Sequence, residues 1–423
     1  MSTPARTHVA DLIDFVAASP SSYHAAAEGA RRLVAAGFTE QSEAEPFSGE
    51  PGGHFVIRDG SLVAWRIPTT ASPEDRFMIV GTHTDSPSFK LKPDPAAAAQ
   101  GWRQVAVEVY GGPLLNSWLD RELGLAGRLV TADGVSHLVR TGPIMRIPQL
   151  AIHLDRGVND NGLTLSKQAH TQPVWGLAAG VDVLTHLAST AETSLGDVLG
   201  HDVVAYDTQP GQVFGGADEF LACGRLDNLS SVHAGLVALI NAVDSESITV
   251  LAAFDHEEIG SGSRSGAAGP ILEDVLNRIA TSVGATAEQY RQMLARSFCV
   301  SADTGHAVHP NYAGHHDPTH HPLPNRGPLL KLNANQRYAT DAVGTALWRR
   351  ACRAVGVETQ PFVSNNDMPC GSTIGPLTAT RLGITTVDVG IALLSMHSAR
   401  ELAGADDPYQ LSRALEASYH LVP

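Results

Sequence analysis

The sequence predicts an α/β protein, a helix-covered mixed or parallel sheet interrupted by an inserted β-rich domain, and three observations predict it. Four short apolar runs show no alternation, the pattern of strands buried on both faces beneath helices. Between them lie segments whose apolar residues recur at helical spacing. From about residue 93 to 210 the chain instead carries short β-type runs split by Gly, Pro and Asp. The 423 residues, 43% of them hydrophobic and 17% charged, suffice for one to three domains with proper cores.

In chain order, residues 9–36 place Leu12, Phe15 and Val16, then Ala26, Ala30, Leu33 and Val34, at helical spacing around Pro20, which predicts two helices. Runs 55–58 and 62–67 flank Asp59-Gly60, a dipeptide suited to a type I′ hairpin turn. The first buried strand is the run 77–80. Within the β-rich stretch, 105–110, 127–131 and 136–139 read as strands, and 96–99, beside Pro93 and Pro95, as a loop. Asp227 and Asn228 precede Leu229, Val232, Leu236, Leu239, Ile240 and Val243, one face of a helix whose free N–H groups either polar side chain could cap. The runs 248–254, 298–300 and 384–389 are the other buried strands, and 341–355 is a second covering helix. The expected organisation is a discontinuous core of residues 1–92 and 211–423 with an insert at 93–210.

A formal charge of −15 repels phosphodiesters and anionic lipid, so no nucleic acid and no membrane partner is expected. Four scattered cysteines, with no C-x-x-C pair, exclude a disulfide framework and fit a reducing compartment. Asp11 and Asp14 interrupt the first apolar segment, so no secretory signal is read, and no run approaches the roughly 18 apolar residues of a membrane span. A cytoplasmic location is expected.

Metal-binding residue types follow every buried strand. His83 comes after the first, Glu257 and Glu258 after the second, Asp303 after the third and His397 after the fourth, while Asp227 stands at a helix start. Ligand sites in such sheets lie off the carboxyl ends of the strands. Two imidazoles and four carboxylates match a pair of divalent ions, with one bridging carboxylate and one His plus one carboxylate for each ion. N and O donors without thiolate favour two Zn²⁺, with Co²⁺ or Mn²⁺ as substitutes. Adjacent Glu257 and Glu258 point in different directions, so one can ligate while the other acts as general base. Asp85 can accept the second ring N–H of His83.

Longer stretches carry a family likeness. Gly81-Thr-His-Thr-Asp-Ser-Pro87, Asn116-Ser-Trp-Leu-Asp-Arg121, Arg146-Ile-Pro-Gln-Leu-Ala-Ile-His153, Arg225-Leu-Asp-Asn228, Asp255-His-Glu-Glu258, Ser301-Ala-Asp303, Gln336-Arg-Tyr338, Asn366-Asp-Met-Pro-Cys-Gly371 and Met396-His-Ser398 together resemble the M18 metallopeptidases, the aspartyl aminopeptidases. The resemblance runs along nearly the whole chain. It implies that His83, Asp227 and Asp303 hold one zinc, and that Asp227, Glu258 and His397 hold the other, with Asp227 bridging. It implies Glu257 as the base, Asp85 as the partner of His83, and a tetrahedral homododecamer assembled through the inserted dimerisation domain. His153 in that insert would reach a neighbouring subunit's site to bind the oxyanion. Lys331 matches the lysine that receives an acidic side chain. Arg337 is the second candidate cation; Tyr338 and His309 are further substrate-binding candidates.

The expected activity is therefore removal of N-terminal Asp or Glu from peptides by a zinc-dependent aminopeptidase. The alternatives are a dinuclear-zinc carboxypeptidase or amide deacylase, and a non-catalytic oligomeric scaffold. His315, His316, Asp317, His320 and His321 read as a polar loop rather than a third metal site, Cys370 as a buried filler, and 260–263 as a tight helix entry.

Overall fold

Alternate residues of each central strand face opposite cores, which is why the apolar runs show no alternation. Met78 and Val80 pack into one core and Phe77 and Ile79 into the other; Leu251 and Ala253 part from Val250, Ala252 and Phe254 in the same way. Helices Thr3–Ala18, Ser22–Ala35, Leu226–Asn241, Ala342–Ala354 and Asp407–Ser418 cover the first face. Ile271–Ser282, Ala287–Ala295 and Ile374–Leu382 cover the second. Each fully buried Leu or Phe contributes about 1.5–3 kcal/mol, so the sheet is held from both sides. This computed structural model describes residues 1–177, 180–243 and 245–422.

From edge to edge the nine-stranded sheet runs Thr39–Glu40, Gly52–Arg58, Ser61–Ile67, Ile248–Phe254, Phe77–His83, Phe298–Ala302, Thr385–Gly390, Leu329–Leu332, Gln360–Val363. The four strands from Ile248–Phe254 to Thr385–Gly390 are parallel, with Phe254 opposite His83 and Ser301 opposite Gly81. Their carboxyl ends therefore open on one rim of the sheet. Antiparallel strands flank them on both sides, which makes the sheet mixed.

A second sheet is wholly antiparallel, in the order Ser136–Arg140, Leu123–Thr131, Val198–Asp207, Ser88–Ala99, Trp102–Tyr110, Val174–Leu177. Phe89, Val105, Trp118, Leu125, Leu129 and Val203 form its own core, closed by Val183 and Leu187 of helix Val183–Thr190. Strand Ser88–Ala99 straddles position 93. A third sheet joins Gln212–Phe214, Phe220–Cys223, Glu401–Gly404, Ala392–Leu394 and Gly305–His306.

Four local expectations are corrected. Residues 96–99 are strand, not loop: Ala96 to Ala99 pair with Val105 to Trp102 across a two-residue turn in which Gln100 (φ 51°) and Gly101 (φ 83°) are both left-handed. The type I′ geometry thus belongs to this hairpin. At Asp59-Gly60 only Asp59 has positive φ (57°). Glycine is needed there by space instead, because a Cβ on Gly60 would lie 2.3 Å from Asp255 Oδ2. Neither Asp227 nor Asn228 caps helix Leu226–Asn241, since Asn228 Nδ2 donates to Ala302 O (2.9 Å) and Asp227 turns into the site. Residues 260–263 enter no helix; Ile271–Ser282 starts well beyond them. No helix among the described residues is long and apolar enough to cross a membrane.

Candidate metal centre

Strand ends supply most of the site. His83 is the last residue of Phe77–His83, Asp303 follows Phe298–Ala302, and Glu257 and Glu258 lie in a 3₁₀ turn just past Ile248–Phe254. The third sheet supplies the rest. Its pairing of Cys223 with Glu401 brings the segment leading to Asp227 beside the segment carrying His397.

These residues meet. Three groups place ligand atoms within 4.8 Å of one another: His83, Asp227 and Asp303; Asp227, Glu258 and His397; and His83, Glu257 and Glu258; the first two are the triads the sequence predicts and share Asp227. His83 Nε2 lies 3.3 Å from Asp227 Oδ1 and 3.6 Å from Asp303 Oδ1. His397 Nε2 lies 3.5 Å from both Asp227 Oδ2 and Glu258 Oε2. The other ring nitrogens are engaged: His83 Nδ1 with Asp85 O (3.1 Å) and His397 Nδ1 with Gly112 O (3.0 Å). An Nδ1–H donated to those carbonyls leaves each Nε2 lone pair facing carboxylates.

Lone pairs and carboxylates at such range need a cation between them. The donor set fits zinc: all N and O, with Asp227 Oδ1 and Glu258 Oε1 buried and accepting no hydrogen bond from the described residues. When protons fill the gap instead, burial opposes the charge on His83, yet its bonds to Asp227, Asp303 and Asp85 hold it well above the usual histidine value. His397 is likewise pushed up to about 10 against its burial, by Asp227 and Glu258.

Glu257 differs from the ligands. Its backbone N–H donates to Asp85 Oδ1 (3.0 Å), and that of Glu258 to Asp85 Oδ2 (3.2 Å). Burial first, then the charges of Asp303, Asp85 and Asp227, push its carboxyl up to about 7. Tyr110, which ends strand Trp102–Tyr110 of the second sheet, donates its hydroxyl to Asp85 Oδ2 (2.8 Å). Gly111 (φ 68°) lets that chain pass over the site, since a Cβ there would stand 3.2 Å from Glu258 Cβ.

Lys331 is 1% exposed, and its Nζ lies 3.8 Å from Asp303 Oδ2 and 5.3 Å from the Tyr338 ring centre. Other candidates stand apart. Arg337 is exposed and donates to Gly371 O (3.3 Å), and His309 is tied to its own loop, its N–H donating to His316 Nε2 (3.0 Å). His153 is exposed on a turn, with no contact to the triads among the described residues. In the 315–321 loop His320 Nδ1 pairs with Asp317 Oδ1 (2.8 Å), and no group there is arranged for a metal among the described residues. Sequence reasoning missed Tyr110, Gly112 and Glu401. Tyr110 ends a strand of the second sheet and Gly112 lies just past it, and Glu401 carries only the signal of an acid four residues past His397.

A mixed sheet whose parallel strands end in two carboxylate–imidazole triads sharing one aspartate defines a metallohydrolase. Residues 15–419 match the family model described as aminopeptidase I zinc metalloprotease (M18). The chain is 52% identical to the probable M18 family aminopeptidase 2 of Streptomyces coelicolor over 428 aligned positions, covering 99% of each. Among solved structures it resembles a chain of the Ape4 and Nbr1 complex (36% identity, TM-score 0.94, 98% of this chain and 86% of that one). It also resembles the S. cerevisiae mApe1 dodecamer (30%, TM-score 0.85, 97% and 95%). The chain belongs to the M18 family of zinc aminopeptidases.

Proposed function

We propose that this aminopeptidase removes N-terminal Asp or Glu from peptides, with two zinc ions per subunit held by His83, Asp227 and Asp303 and by Asp227, Glu258 and His397. Zinc in those triads would supply Lewis-acid activation of a water and of the scissile carbonyl. Glu257 takes the water's proton on its carboxylate and returns it to the leaving amine. Asp85 keeps Glu257 in place through the backbone bond and fixes the ring of His83. Co²⁺ or Mn²⁺ would serve the same N/O donors.

Lys331 is the observation that carries the acidic specificity. Among the described residues it is the only lysine or arginine paired to a candidate ligand, and it is buried in a chain of net charge −15. Asp303 faces its ammonium only at 3.8 Å, beyond hydrogen-bond range, and a substrate carboxylate would give it a direct, charge-assisted partner. Tyr338, whose ring centre lies 5.3 Å from the ammonium, is the neighbouring substrate contact, and Arg337 and His309 are outer candidates only.

The subunits would assemble as a tetrahedral homododecamer through the inserted domain, residues 93–210; the dodecameric relative supports self-association. His153 sits among Leu150, Ile152 and Leu154, all exposed, an apolar strip that a second subunit would cover. We assign His153 to a neighbour's site as an oxyanion donor. Four cysteines without a disulfide fit the cytoplasm.

The test is a panel of aminoacyl anilides, free and N-acetylated, before and after chelation. Cleavage of Asp and Glu anilides that chelation and N-acetylation both abolish supports the reading. Release of acetate from the acetylated forms would indicate the deacylase, cleavage of an N-acetylated peptide with a free carboxyl terminus the carboxypeptidase, and cleavage of none of these the scaffold.

A further inference from the structure

Glu401 begins strand Glu401–Gly404 and is 2% exposed. Its two carboxylate oxygens divide between two candidate ligands: Oε2 accepts the backbone N–H of Asp227 (3.0 Å) and Oε1 that of His397 (2.8 Å). No lysine, arginine or histidine is ion-paired to it among the described residues. A buried carboxylate without a cationic partner is costly, and an apolar residue of similar size would fill the space at lower cost. What Glu401 does instead is tie together two loops distant in sequence. Both loops carry left-handed, non-glycine backbone, Arg225 (φ 57°) just ahead of Asp227 and His397 itself (φ 65°). Such conformations are unfavourable for residues that carry a Cβ and persist where surrounding bonds hold them.

Resting on the dizinc reading, we infer that Glu401 is a positioning residue for the metal pair: its two hydrogen bonds set the separation of Asp227 and His397. Asp227 and His397 both belong to the triad completed by Glu258, whereas the His83 triad shares only Asp227. The ion at the Glu258 triad is therefore the one that depends more on Glu401.

Two substitutions separate acceptor chemistry from bulk. Glu401→Gln keeps the size but offers one acceptor oxygen and an NH₂ group to two N–H donors, so one bond is lost and a donor faces a donor. Glu401→Asp keeps both acceptors and removes a methylene. The purified full-length protein is titrated with zinc and with cobalt against a competing chelator, and the visible spectrum of the cobalt form is recorded. Wild type should take two ions per subunit. Glu401→Gln should weaken one of the two ions, the one assigned to the Glu258 triad, by about 10- to 100-fold and alter its cobalt spectrum, with the other ion less affected and a smaller loss in Glu401→Asp. Wild-type affinity in Glu401→Gln, or a larger loss in Glu401→Asp than in Glu401→Gln, would overturn the assignment. Loss of the folded state in both variants, judged by circular dichroism and gel filtration, would overturn it too, by placing Glu401 in the fold's stability. Wild type that binds fewer than two ions would bring down the dizinc reading and this inference with it, an outcome visible before any variant is compared.

Discussion

Asp85 Oδ1 accepts the backbone N–H of Glu257 at 3.0 Å, so the proposed base hangs from the same carboxylate that faces His83 Nδ1 at 3.4 Å. The Glu257 carboxylate itself accepts no hydrogen bond from the described residues and is pushed up to about 7 by its burial and its acidic neighbours. A carboxylate left free of hydrogen bonds beside the two triads is placed for proton transfer. Glu257→Gln should therefore lower kcat by about 10²- to 10⁴-fold with metal content unchanged. Steady-state rates and elemental analysis of one preparation check both halves. Wild-type turnover in the variant would remove Glu257 from the mechanism.

Lys331→Met should act on substrate choice. A charge-assisted hydrogen bond is worth about 1.5–3 kcal/mol, so kcat/KM for Asp and Glu anilides should fall roughly 10- to 100-fold. Alanyl and leucyl anilides, which have no carboxylate to place there, should change little. Because Lys331 also sits 3.8 Å from Asp303, zinc content is measured alongside to separate specificity from metal loss. An equal drop across acidic and neutral substrates would refute the assignment.

What could be read in the sequence depended on how each residue is delivered. His83, Glu257, Glu258 and Asp303 come within a few residues of short, non-alternating apolar runs, so placing the runs in parallel placed the residues together. The third sheet could not be read, because strands such as Gly305–His306 and Gln212–Phe214 are too short to show a period. With it went Glu401, whose partner Asp227 is 174 positions away. Tyr110 and Gly112 escaped for a related reason, since a side-chain bond to Asp85 and a carbonyl aimed at His397 leave no spacing pattern. Reading Asp227 as a helix cap failed because its carboxylate faces two histidines instead.

His153 offers a test of assembly and chemistry together. His153→Phe should cut turnover while leaving zinc content intact. Mixing it with Glu257→Gln under conditions that let subunits exchange should restore activity, since a subunit with intact Glu257 can then receive His153 from a Glu257→Gln neighbour. Recovery measured against each variant exchanged with itself is the readout. Full activity of His153→Phe alone, or no recovery in mixtures shown to have exchanged, would end the trans assignment.

Acid should loosen the N-terminal helix Thr3–Ala18. Its His8 ring lies 4.7 Å from that of His233, which is fully buried and bonded through Nε2 to Asp11 Oδ2 (2.7 Å). Arg32 Nη1 reaches the same Asp11 oxygen at 2.7 Å. Burial first, then the neighbouring His233, pushes His8 down to about 3, and burial also holds His233 low. A histidine with a folded pKa below its unfolded value of about 6.5 binds protons more readily when unfolded, so its contribution is present above that pH and is lost as pH falls toward 3. Asp11, held below the carboxylate range chiefly by its bond to His233, works in the same direction at lower pH. Between pH 6.5 and 5 the His8 share amounts to about 2 kcal/mol. Urea unfolding at those two pH values should show stability falling with pH in the wild type, and His8→Asn should flatten the fall by about that much. Identical slopes in the two proteins would show that His8 is not the group being protonated.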